Sequence, residues 1–225
     1  MIRRDFILRM IEEWGRALAQ IRALRQGGRA QAAREAVDAE CQKLTALGVE
    51  GILRLSDAEF FARVSEEQLA QTVHLRTLAV ITLLREAAEI VSEERPEEAR
   101  EIYLRALRLL LEVLAQENPA QFPEFVPTVE TILTALQAEP LPPQTLALLM
   151  RHYEESGQYA KAEDALFSLL DTMGADSEII GFGRAFYERI LRRSDAALLA
   201  GNLPRKEAEQ GRNEFNNLLP AIQPK

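Results

Sequence analysis

Residues 146–166 read LALLMRHYEESGQYAKAEDAL, and this stretch decides the architecture. Leu146, Leu149 and Tyr153 recur three and four apart, the period of one helix face. Gly157 interrupts the pattern where a sharp turn wants a residue without a side chain. Behind it, Tyr159 and Ala162 open a second helix. Ala162 is small enough to let that helix approach the first, and the two tyrosines are large enough to fill the space between them. The stretch therefore predicts an antiparallel helix pair.

The same period extends in both directions, and strand-like alternation is nearly absent. Upstream, a first helix is expected over about Arg4–Arg25, with Phe6, Ile7, Met10, Ile11, Trp14, Leu18, Ile21 and Leu24 on one stripe, stopping at Gly27-Gly28. A second, Ala-rich helix runs from about Ala30 to Leu47 and stops at Gly48. Ser56 stands three residues before Glu59, and Ser65 three before Gln68, two capping boxes. They open a short helix near Asp57–Val64 and a long one from about Glu66 to Val91. Pro96 sits at a first helical position, followed by the stripe Ala99, Ile102, Tyr103, Ala106, Leu107, Leu110, Val113 and Leu114. Downstream, helices are expected at about Gln144–Glu155, Gln158–Met173, Glu178–Ala200 and Arg205–Leu219, punctuated by Gly157, Gly174 and Gly201.

Six of the ten prolines fall between Asn118 and Pro143. That concentration divides the chain into an N-terminal helical half, 1–117, a packed connection, 118–143, holding one helix near Thr128–Ala138, and a C-terminal half, 144–225. The three parts are compatible with one continuous domain.

The bulk numbers exclude several classes. The chain has 225 residues, 47% of them hydrophobic, enough to bury a substantial core. Its net charge of −8 is repelled by nucleic acid and by anionic membranes unless basic charge is gathered locally. Cys41 is the only cysteine, so no intramolecular disulfide can form, and a reducing, cytoplasmic setting fits. Asp5, Arg9, Glu12 and Glu13 interrupt the apolar run that a signal peptide needs. No stretch approaches the roughly 18 apolar residues of a membrane span.

Leu146, Leu149, Tyr153, Gly157, Tyr159 and Ala162 fall at the spacings of a tetratricopeptide repeat, and the chain resembles proteins of that class. A second unit resembles it through Leu83, Ala87 and Ile90, followed by Ala99, Tyr103, Ala106 and Leu107. The pairs around Gly28 and Gly201 keep the geometry. The opening segment MIRRDFILRMIEEWGRALAQI, the Gly-bounded second helix and the segment LSDAEFF are similar to an uncharacterised family of bacterial helical proteins. That similarity covers the first third and implies no activity.

The chemistry-bearing residues are sparse. His74 and His152 lie on different helices, outside any metal-binding spacing, so no metal and no cofactor is expected. Gly181-Phe182-Gly183 lacks the preceding strand and the following lysine of a phosphate loop, and is read as a close helix contact or a late helix start. Glu93, Glu94, Glu97, Glu98 and Glu101 surround Pro96, where glutamates suit the helix dipole. Residues 1–26 hold six arginines against three acids, net +3, so the remainder carries −11. A basic amphipathic helix with a tryptophan can lie on a membrane, but its wide stripe and interspersed acids favour packing against the other helices.

The fold expected is thus all-α, with antiparallel helix pairs stacked as a tetratricopeptide-like array. The function expected is a non-enzymatic protein or peptide interaction module. By resemblance to such arrays, the first helix of each pair lines a concave groove. It would include Ile81, Leu84, Arg85 and Ala88 from one unit, and Gln144, Leu148, Arg151 and Glu154 from the next. Partly apolar ends of the stack allow a homodimer. The alternatives are a peripheral membrane adaptor using the first helix, and an enzyme whose residues converge only in three dimensions.

Overall fold

The computed structural model describes residues 2–65, 70–116, 122–136, 139–174 and 177–218. Helix makes up 81% of these residues, in twelve segments, and no strand occurs among them. The chain divides into two units, Met1–Pro140 and Leu141–Lys225.

The first unit is built around α5 (Ala70–Val91) and α6 (Pro96–Leu114), packed side by side. Pro96 occupies the first turn of α6, with Glu97 and Glu98 beside it, as the helix dipole favours. The stripe of α6 is buried apart from Leu114, which is half-buried, and Leu109 and Leu111, just beyond its two margins, are buried too. The reason is that α6 is covered on several sides, by α5, by α7 (Val129–Leu136) and by α3 (Val49–Arg54). Helix α7 starts at Thr128, whose hydroxyl accepts the Thr131 amide at 3.1 Å, and buries Val129, Ile132 and Leu136.

Two further helices lie against α5. Helix α1 (Ile2–Gln26) ends where Gly28 takes a positive φ and the Arg29 amide reaches back to the Leu24 carbonyl at 3.0 Å. Of its stripe, Leu18 and Ile21 reach the core, whereas Ile7, Met10, Ile11, Trp14 and Leu24 are half-buried. Helix α2 (Ala30–Thr45) stops before Gly48, at Ala46 with φ 60°. Thr45 causes the early stop. Its hydroxyl donates to the Cys41 carbonyl at 2.9 Å and accepts the Leu47 amide at 3.2 Å. Gly48 instead starts the short α3, which periodicity alone did not reveal. Asp38 accepts the Val49 amide at 2.8 Å, and a side chain at 48 would stand 2.9 Å from that same carboxylate oxygen.

Helix α4 (Asp57–Ser65) carries the capping box as read. The Glu59 carboxylate accepts the Ser56 amide at 2.8 Å, and the Ser56 hydroxyl accepts the Glu59 amide at 3.2 Å. The second box, Ser65 with Gln68, lies partly outside the described residues; Ser65 itself closes α4, its hydroxyl donating to the Phe61 carbonyl at 2.7 Å.

In the second unit, α8 (Pro143–Glu155) and α9 (Tyr159–Met173) form the predicted hairpin. Gly157 takes φ 75°, the Gln158 amide bonds the Tyr153 carbonyl at 2.8 Å, and Ala162, Tyr153 and Tyr159 are buried. The expected single helix Glu178–Ala200 is instead two, α10 (Ser177–Ile190) and α11 (Asp195–Ala200). Ser194 caps α11 by accepting the Ala197 amide at 3.2 Å. Arg205, opening α12 (Arg205–Asn217), donates to the Leu191 and Arg193 carbonyls at 2.9 and 2.7 Å, which satisfies the end of α10. Gly201 is needed for close approach, because a Cβ there would lie 2.4 Å from the Gly157 carbonyl oxygen and from the Tyr159 ring. The positive φ of that turn belongs to Asn202.

Candidate functional site

A cleft of about 540 Å3 opens in the first unit among α4, α5 and α6. Its position follows from how α4 is fixed. Asp57, in the first turn of α4, is gripped by Arg105 and Arg108 of α6, and Arg105 also donates to the Ser56 carbonyl at 3.3 Å. The Arg105 guanidinium stands 5.5 Å over the Phe60 ring and is buried, and that burial lowers its pKa despite the neighbouring carboxylate. One and two turns on, Phe61 and Ser65 form one wall of the cleft. Val73, His74 and Thr77 of α5 and Val113 and Gln116 from the end of α6 supply others. The Ser65 and Thr77 hydroxyls donate to carbonyls of their own helices, Phe61 and Val73, at 2.7 and 2.9 Å. They therefore add little polarity to the cleft. A volume of this size lies within the ordinary range of ligand pockets.

The residues named for a concave groove fall in both units. In the first, Ile81, Leu84 and Ala88 have no exposure and belong to the core, which leaves Arg85 as the accessible member. Arg85 joins a network on Glu86, whose carboxylate is fully buried. Arg22 donates to Glu86 Oε1 at 2.7 Å, Arg85 donates to the same oxygen at 3.1 Å, and Arg25 stands 3.8 Å from Oε2. Glu89 pairs with Arg25 and Arg85. In the second unit, Gln144 and Arg151 are exposed on α8, Arg151 donating to Glu155 at 2.9 Å. Leu148 is half-buried, and Glu154 takes a two-pronged bond from Arg189 of α10 at 2.7 Å each. So Arg85 is committed to ion pairs within α5, Glu154 to one that joins α8 and α10, and Gln144 and Arg151 face solvent.

The second unit also holds an acidic cluster that periodicity did not point to. Glu163 of α9 accepts the Tyr187 hydroxyl of α10 at 2.7 Å. Burial raises the Glu163 pKa from its ordinary value, and Asp164, Glu207 and Glu214 add to the shift. Burial and the bond to Glu163 raise the Tyr187 phenol. The only sequence signal for this pair was Gly211, a glycine inside a helix, where a Cβ would lie 2.4 Å from the Tyr187 hydroxyl.

Cys41 is buried, and burial with Asp38 and Glu40 nearby raises its pKa, so its thiol stays protonated and unreactive. Gly183 is a close-packing position, as one of the two sequence readings had it, and lies within α10 against Phe215 of α12. Among the described residues, no group of three or more His, Cys, Asp or Glu side chains converges on a point that could hold a metal ion. No helix among them is long and apolar enough to cross a membrane.

No curated protein and no solved structure matches the chain. A family model described as a family of unknown function (DUF6483) does match, over residues 1–219, and by that coverage the chain belongs to this family.

Proposed function

We propose that the protein is a non-enzymatic interaction module that holds a protein or peptide partner in the cleft among α4, α5 and α6. The observation that carries this reading is the cleft itself. It is open, of ligand-pocket size, and walled by Phe61, Val73 and Val113 with His74 and Gln116. Apolar walls with a few polar groups suit an anchoring side chain of a partner segment. The finer architecture in this reading is a tetratricopeptide-like stack, supported by the α8–α9 hairpin with Ala162 at its contact and by the packed pair α5–α6. A reducing cytoplasmic location fits the single buried thiol of Cys41.

Panning a random peptide library against the full chain tests the reading. The wild type should enrich a consensus, and Val73→Trp, which fills the cleft, should lose it. No enrichment, or enrichment indifferent to Val73→Trp, overturns the proposal.

A second reading, a peripheral membrane adaptor, has one observation in its favour. Leu8 of α1 is 48% exposed, beside the half-buried Ile7, Met10, Ile11 and Trp14. Against it, Arg9, Glu12, Glu13 and Arg16, exposed along the same segment, sum to zero and offer an anionic surface no net attraction.

A further inference from the structure

The contact among α9, α10 and α12 places a carboxyl where a charge is poorly tolerated. Glu163 Oε1 and the Tyr187 hydroxyl are 2.7 Å apart, and both press on the α12 backbone at Gly211. A Cβ on Gly211 would come within 2.4 Å of the hydroxyl and 2.6 Å of the carboxylate oxygen. Tyr187 has no exposure, and Ala208 and Phe215 of α12 are fully buried around the same contact. Glu207, Gly211 and Glu214 are spaced four and three apart, so they share one face of α12. The titratable groups that act on Glu163 are therefore Tyr187 from α10, Glu207 and Glu214 from α12, and Asp164 from its own helix. Three of the four are acids. Of the arginines of α10 and α12, Arg184 is bonded to Asn216, Arg189 to Glu154 and Arg205 to Asp195, and the half-buried Arg212, next to Gly211, is the remaining one.

We propose that Glu163 and Tyr187 form a proton-controlled clasp on α12, which is seated when Glu163 is protonated and loosened when Glu163 is ionised. Ionisation puts a third negative charge on a half-buried site beside the exposed Glu207 and Glu214, with Tyr187 as the donor that moderates it. Lifting α12 hydrates the carboxylate and relieves the repulsion. The raised Glu163 pKa fits this geometry. A carboxyl whose folded pKa lies above its unfolded value adds stability that is complete below the unfolded pKa. That stability is lost as pH rises through the folded pKa. The clasp is therefore fully closed below the unfolded carboxyl pKa and weakened as pH rises above it. It concerns the second unit alone and does not depend on the cleft of the first.

Hydrogen exchange of the full chain, corrected for intrinsic rates, tests the clasp at about pH 4, below the unfolded carboxyl pKa, and at about pH 8. Protection of the amides from Ala208 to Phe215 should fall at the higher pH, by up to about tenfold for each unit that the carboxyl is raised. Amides of α8 should keep their protection. Glu163→Gln, neutral at both values, should hold α12 protected throughout. Tyr187→Phe, which removes the moderating donor, should enlarge the fall. Equal protection of α12 at the two pH values in the wild type overturns the proposal. So does a fall in Glu163→Gln as large as in the wild type, or a Tyr187→Phe variant whose fall is no larger.

Discussion

Gly183 of α10 lies so close to Phe215 of α12 that a Cβ on it would stand 2.3 Å from the Phe215 ring. The ring cannot retreat easily, because Phe215 has no exposure and its centroid is 5.4 Å from that of Phe167 and 5.9 Å from that of Tyr187. Gly183→Ala should therefore overpack this contact, at a cost of about 1–3 kcal/mol. The helix-propensity gain of about 1 kcal/mol offsets part of that, and the tightness of the contact keeps the net change destabilising. Gly181, two residues away, has nothing within 4 Å of where its Cβ would lie and is exposed. Gly181→Ala should stabilise by about 0.5–1 kcal/mol. Urea midpoints that move in opposite directions check the pair; a destabilised Gly181→Ala would contradict the geometry.

Glu86 is the buried centre of the network that ties α1 to α5. Its carboxylate has no exposure, and among the described residues Oε2 accepts no hydrogen bond. Breaking a fully buried ion pair costs about 3–5 kcal/mol. Arg22, Arg25 and Arg85 keep 36%, 28% and 22% of their side chains exposed and can rehydrate. Glu86→Ala should thus cost less, about 1–3 kcal/mol. Arg22→Ala in the Glu86→Ala background should add little, and a double-mutant cycle with full additivity would show that the two are not coupled.

Trp14 distinguishes the two readings of α1. It is half-buried. Its emission in the free protein should lie between the buried and the solvated extremes, and Trp14→Ala should cost about 1.5–2.5 kcal/mol, roughly half of a fully buried aromatic. Under the interaction-module reading, anionic vesicles leave the emission unchanged. A blue shift on adding vesicles would favour the membrane adaptor.

The features legible in the sequence are those built by residues close along the chain. Glu59 and Ser56 cap one another across three residues, Pro96 sits in the first turn of α6, and Gly157 turns α8 into α9. Each is a contact within one helical turn or one tight loop, so spacing and residue type suffice. The 3.6-residue period likewise marked most of the helices, because a half-buried helix must keep its apolar residues on one side.

Some differences between the reading and the structure are local, as at Thr45 and Ser194, but others arise from residues further apart along the chain. Asp38 caps α3 from eleven residues away and makes Gly48 a start, not a stop. Arg205 satisfies the end of α10 and lets the chain break before α11. Ile81, Leu84 and Ala88 are core residues because α5 is covered by α1, α2, α4 and α6 together, which the stripe of one helix cannot reveal. The sequence by itself determined the helical class, the hairpin turns and the local caps. Only the tertiary structure decided that Asp57 meets Arg105 and Arg108, that Glu86 gathers three arginines, and that Glu163 lies against Gly211. Those contacts depend on which helix faces close on one another, and periodicity specifies that a face is apolar without specifying its partner.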